Sequence, residues 1–140
     1  MKTWVLYAII SMFFAGFTSV IAKMGLSGIS SELGLTVRTA FVFLLVLGFA
    51  VVAVPPADFA TLTRSNLFWL GLSGVTTSLS WIFYYKALKD GEVSTIALID
   101  KGSMVVAVVL AFFILKEQIT WKTLIGGSLM VAGLLVIARK

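Results

Sequence analysis

Residues Trp4 to Ala22 read WVLYAIISMFFAGFTSVIA, nineteen positions without a charge. At about 1.5 Å rise per residue such a run covers a hydrocarbon core of about 30 Å. Lys2 ahead of it gives the look of a signal peptide. The run is long enough to span, however, and more of the same kind follow, so it reads as an uncleaved first helix. Working outward, a second run extends from about Thr36 to Val54 (36–54) and stops at Pro55-Pro56, which cannot continue a helix. A third covers Leu67 to about Leu88 (67–88), and a fourth Val93 to Leu115 (93–115), interrupted by Asp100-Lys101. The fifth is Ile119 to Ala138 (119–138), following the first at 4–22. None alternates with period two, which argues against a transmembrane β-barrel. The connections between runs are short and leave no room for a soluble domain. The sequence predicts an all-α fold, a polytopic transmembrane bundle of about five helices forming one domain over residues 1–140.

Composition agrees. Of 140 residues, 60% are hydrophobic and 12% charged, with a mean hydropathy of +1.09. A soluble domain of this length needs far more polar surface, so the spare apolar surface faces the lipid bilayer. With no Cys and no His, disulfides, thiol nucleophiles, haem ligation by His and Cys/His zinc sites are excluded. No metal site, no cofactor and no P-loop are encoded, and no paired carboxylates or nucleophile–base constellation lies within the runs, so an enzyme is not expected. The net charge of +5 comes from basic residues mostly at the ends of apolar runs. That is how cations anchor helices at a membrane surface, and it gives no footing to nucleic acid.

Five crossings put the termini on opposite sides. Trp4, Trp69 and Trp121 then share the side of the N-terminus, at the depth indole rings favour, while Tyr84 and Tyr85 fall on the other. The N-terminal side carries Lys2, Arg64, Lys116 and Lys122; the opposite side carries Lys23, Arg38, Lys86, Lys89, Lys101, Arg139 and Lys140. Setting aside Lys23, Arg38, Lys86 and Lys101 as partly inside the bundle removes the bias, which permits insertion in both orientations.

Asp100 carries the most information. It lies about seven residues, roughly 10 Å, into the fourth run. A carboxylate there must be paired, neutralised or in contact with a water-filled cavity. It reads either as a coupling or substrate-binding acid or as a structural partner of Lys23 or Lys86. Lys101 points about 100° away and reads as snorkelling to the headgroups. Lys23, Arg38 and Lys86 form a basic ring suited to an anionic or zwitterionic solute, with snorkelling as the plainer reading. Trp81, inside the third run, could contact an organic or cationic solute or simply pack. Small residues mark packing faces, including Ala15 on the first run, Gly74 and Ser78 on the third, and Gly127 and Gly133 on the fifth.

The stretch YYKALKDGEVSTIALIDKGSMVVAVVLAFFILKEQITWKTLIGGSLMVAGLLVI, Tyr84 to Ile137, resembles the EamA unit of the drug/metabolite transporter superfamily. The likeness lies in the aromatic-K-A-L end of the third run and the acidic turn after it. It continues through a long fourth run closing at Glu117 and a Gly-rich fifth. Lys23 and Arg38 also look typical. Most members look like two fused units related by inverted topology, whereas this chain has one. The resemblance implies a secondary transporter of a small organic solute working by alternating access in the cell (inner) membrane. A single unit with weak charge bias fits an antiparallel homodimer of dual topology. Related small multidrug exporters carry a Glu in their first helix; none stands here, and Asp100 would take its place. The competing readings are an accessory subunit of a heteromeric membrane complex and a flippase for a lipid-linked sugar.

Overall fold

The uncharged opening run does form one helix, and it runs further than the hydropathy alone suggests. In a computed structural model, residues 3–138 are described. They form α1 (Thr3–Gly25), α2 (Ser31–Ala53), a 3-10 turn over Pro56–Thr61, α3 (Arg64–Asp90), α4 (Val93–Asp100), α5 (Ser103–Ile114) and α6 (Trp121–Ala138). Among the described residues there is no strand. Four stretches are long and apolar enough to cross a membrane: α1, α2, α3 and the α4–α5 run Val93–Ile114, with Trp121–Ile137 a shorter apolar helix. The all-α transmembrane expectation is met.

Hydroxyl caps explain where the helices begin. Ser30 Oγ accepts from Leu33 N at 3.2 Å, Thr63 Oγ1 from Asn66 N at 3.1 Å, and Thr120 Oγ1 from Thr123 N at 3.2 Å. Each satisfies an N–H that has no partner within the helix. These caps start α2 at Ser31 and α3 at Arg64, earlier than the apolar runs, and α6 at Trp121, slightly later. Inside α3 the hydroxyls of Thr77 and Ser78 donate back to the Ser73 and Gly74 carbonyls at 2.8 and 2.9 Å. These two hydroxyls are thereby satisfied within the backbone of α3 itself, as a lipid environment favours.

The fourth run is not one helix. The chain tightens at Lys101-Gly102, where Gly102 N–H donates to Ile99 O at 2.9 Å and Met104 N–H to Lys101 O at 3.1 Å, both i to i+3 bonds. Gly102 has the room for this break. A Cβ there would stand 3.0 Å from Ile99 O and 3.1 Å from Leu134 Cδ1, so α6 presses directly on the glycine.

The chain divides into two units: Ile21–Asp90, and the residues up to Val20 together with those from Gly91 onward. In the first, α2 packs along α3; in the second, α6 packs on α4 and α5. Leu26, Tyr85 and Leu88, the buried hydrophobic residues among those described, all belong to the Ile21–Asp90 unit. Leu26 lies over Gly34, whose missing side chain makes the space: a Cβ at Gly34 would collide with Leu26 Cδ2. Most other large apolar side chains are exposed. For a water-soluble protein this would be untenable; for helices in a bilayer such a surface meets lipid or other helices.

Candidate functional site: a basic and aromatic cluster between the second and third helices

The basic ring expected from the sequence resolves into residues with separate tasks. Lys23, in the last turn of α1, donates from Nζ to Leu88 O at 2.6 Å and to Lys89 O at 3.0 Å, at the end of α3. Lys89, in the last turn of α3, donates from Nζ to Leu26 O at 3.1 Å, just beyond α1. Each lysine thus caps the other helix at its carbonyl end, where the helix dipole favours a cation. Lys86 Nζ stands 3.8 Å from Glu32 Oε1, with both side chains largely exposed. Nothing in the sequence marked Glu32 as that partner, because it sits in a stretch that reads as loop. The pair is worth at most about 1 kcal/mol.

Arg38 behaves differently. It lies two turns into α2, and its Cζ stands 4.2 Å above the centroid of the Trp81 ring and 5.9 Å from that of Tyr85, both on α3. Trp81 and Tyr85 are four residues apart and so share a helix face, which is why one guanidinium reaches both. Nη1 of Arg38 is buried and makes no hydrogen bond to any described residue. A buried donor left in this state costs about 1–3 kcal/mol, more when it is charged. The cation–π contact offsets part of that, about 2 kcal/mol when desolvated. Tyr85, which the sequence places on the side opposite the N-terminus, is buried in this stack.

Beside the stack lies an open groove of about 510 Å³ between α2 and α3. Leu35, Ala40, Phe43 and Ile82 give it apolar walls, Thr36, Thr39 and Ser78 line it with polar side chains, and Trp81 belongs to both groove and stack. The volume is that of a small-molecule site.

The expected acid, Asp100, is the last residue of α4 and falls in the other unit. Its Oδ2 lies 3.9 Å from Nζ of the adjacent Lys101. Both stand at the end of α4, just before the break that separates it from α5. Lys23 and Lys86 belong to the Ile21–Asp90 unit. Of the small residues, Ser78 lines the α2–α3 groove, and Gly127 lines a second groove of about 500 Å³ between α5 and α6. Ala15 is exposed, and a Cβ built at Gly74 or Gly133 meets nothing within its own unit.

The sequence model of the EamA-like transporter family matches residues 2–139. The chain belongs to that family. A protein of Sinorhizobium sp. described as an uncharacterized transporter in the cobO 3' region is 28% identical over 137 residues, covering 98% of this chain and 97% of that protein. No solved structure matches the chain. This is a multi-pass membrane protein of a transporter family, and its EamA unit extends over essentially all of the sequence.

Proposed function

We propose that this chain moves a small organic solute across the cell (inner) membrane as a secondary transporter, by alternating access and without covalent chemistry. Membership of the EamA-like transporter family over residues 2–139 carries this reading. One unit with an odd number of crossings cannot supply its own inverted half. A second copy inserted the other way up supplies it, so the working form is an antiparallel homodimer. The similar length of the Sinorhizobium relative, described as a transporter, supports a one-unit design. Asp100 is the coupling or substrate acid, placed where the fourth span breaks. Discontinuous helices of this kind form ion and solute sites in transporters at large. Arg38 and Trp81 contact the solute, while Lys23 and Lys86 shape the electrostatics of that end and hold its helices.

Reconstitution into liposomes tests this. The vesicles are preloaded in turn with short-chain carboxylates, amino acids, amines and sugars, and the labelled counterpart is added outside. The expected result is transient accumulation of one class above its external concentration, driven by exchange. A protein that gives no counterflow with any class, and instead co-purifies with a second membrane protein, is an accessory subunit.

A further inference from the structure

Among solutes a drug/metabolite-type transporter could carry, the Arg38 stack discriminates by charge. We infer that the α2–α3 groove binds monoanionic organic solutes, a carboxylate accepting from the Arg38 guanidinium while an apolar body lies along the groove; the inference rests on the transporter reading above. A Trp face inside a helix reads, from sequence, as packing or as contact for an organic or cationic solute. In the folded unit that face already carries the chain's own cation, 4.2 Å above the ring. An incoming cation meets an occupied π-face and a like charge.

An anion meets the opposite situation. Arg38 lies on the Trp81 ring that lines the groove and is not itself a lining residue; its Nη1 is a buried donor without a hydrogen-bond partner among the described residues, so a carboxylate meets the guanidinium at its remaining edge, in the two parallel hydrogen bonds a fork allows. The neighbouring cations are committed elsewhere: Lys86 to Glu32, Lys89 to the Leu26 carbonyl, Lys23 to the carbonyls of Leu88 and Lys89. One uncompensated positive charge favours one negative charge, not the two of a phosphate dianion. The groove beside it is walled by Leu35, Ala40, Phe43 and Ile82, and of its three hydroxyl side chains those of Thr36 and Ser78 already donate to their own helix backbone, which suits a hydrocarbon or aromatic body over a sugar.

The chain offers a direct probe, since Trp81 is one of four tryptophans. With Trp4, Trp69 and Trp121 replaced by Phe, the remaining emission in detergent micelles reports on the stack. Benzoate and hexanoate are titrated against benzylamine, hexylamine and inorganic phosphate, the amines controlling for partition into the micelle. The inference predicts saturable changes with the two carboxylates alone. Arg38→Gln should weaken them at least tenfold and Arg38→Lys less. Ala40→Phe, which leaves Arg38 in place and fills the groove, should abolish them, so a failure of Arg38→Gln to fold does not end the test. Equal responses to amines or phosphate, or unchanged carboxylate affinity in Arg38→Gln or Ala40→Phe, overturns it. Carboxylate binding without counterflow of any solute overturns the transporter reading and leaves this site standing. Counterflow of amines or sugars, with no carboxylate response, does the reverse.

Discussion

Replacing Asp100 by Asn is expected to reduce solute counterflow to the background of empty liposomes while leaving the protein folded. Two magnitudes separate those outcomes. The Asp100 side chain is 39% exposed and its ion pair with Lys101 spans 3.9 Å. Such a pair contributes at most about 1 kcal/mol to stability, and Asn has nearly the same shape, so the melting temperature should move by only a few degrees. Function depends on what Asn cannot do. It cannot bind and release a proton, and it offers no negative charge beside the break between α4 and α5. A carboxylate placed within a span is costly enough that a role in a solute or ion pathway is its default explanation. Flux measured at matched protein density, with thermal unfolding of the same preparations, checks both halves. Wild-type flux in the variant removes Asp100 from the mechanism; a collapse in stability gives it a structural role.

Leu88→Ala is expected to have the largest effect on stability, about 2 kcal/mol. Leu88 is fully buried, and its carbonyl accepts from Lys23 Nζ. In water-soluble proteins, truncating a buried Leu costs about 2–5 kcal/mol, a sum of lost transfer energy and the cavity left behind. In a bilayer the transfer part shrinks, because lipid is as apolar as the protein interior. The cavity part remains, which sets the expectation at the low end. Leu45→Ala supplies the contrast: Leu45 is 73% exposed on α2, and its truncation should change stability by less than about 0.5 kcal/mol. Unfolding in mixed micelles, followed by circular dichroism, measures both. Equal losses would mean that Leu88 is no better packed than the lipid-facing surface.

Much of the architecture is legible in the sequence because lipid imposes a simple demand, long runs without charge. Trp4 to Ala22 states it without ambiguity, and the Pro55-Pro56 stop does the same for the end of the second span. The helix starts are less legible. Ser30-Ser31-Glu32 reads as polar loop, yet Ser30 is the cap of α2 and Glu32 lies in its first turn. The break at Lys101-Gly102 is also hidden, since hydropathy does not register a glycine with a neighbour pressed against it. Its cause, Leu134, lies on another helix.

The candidate site divides the same way. Arg38 and Trp81 each stand out, one as a cation near a helix start and the other as an indole away from the interfacial belt. Their contact is invisible in sequence, since 43 positions separate them and only the packing of α2 on α3 brings them together. The lysines show the converse. Lys23 looks like part of an anion-attracting ring, but its ammonium group closes the carbonyl end of α3, as that of Lys89 does for α1. A cation near the end of a helix carries the same sequence signature whether it meets solute, lipid headgroup or backbone.

The measurement that bears most directly on the proposed antiparallel pair is the orientation of the chain in the membrane. The chain has no cysteine, so single labels can be placed at Ser27→Cys, ahead of α2, and at Ala60→Cys, beyond its other end. Intact cells are exposed to a membrane-impermeant maleimide, and the labelled fraction is compared with that after permeabilisation. Insertion in both orientations predicts that each site labels in about half of the molecules. Full labelling at one site and none at the other would contradict the antiparallel homodimer.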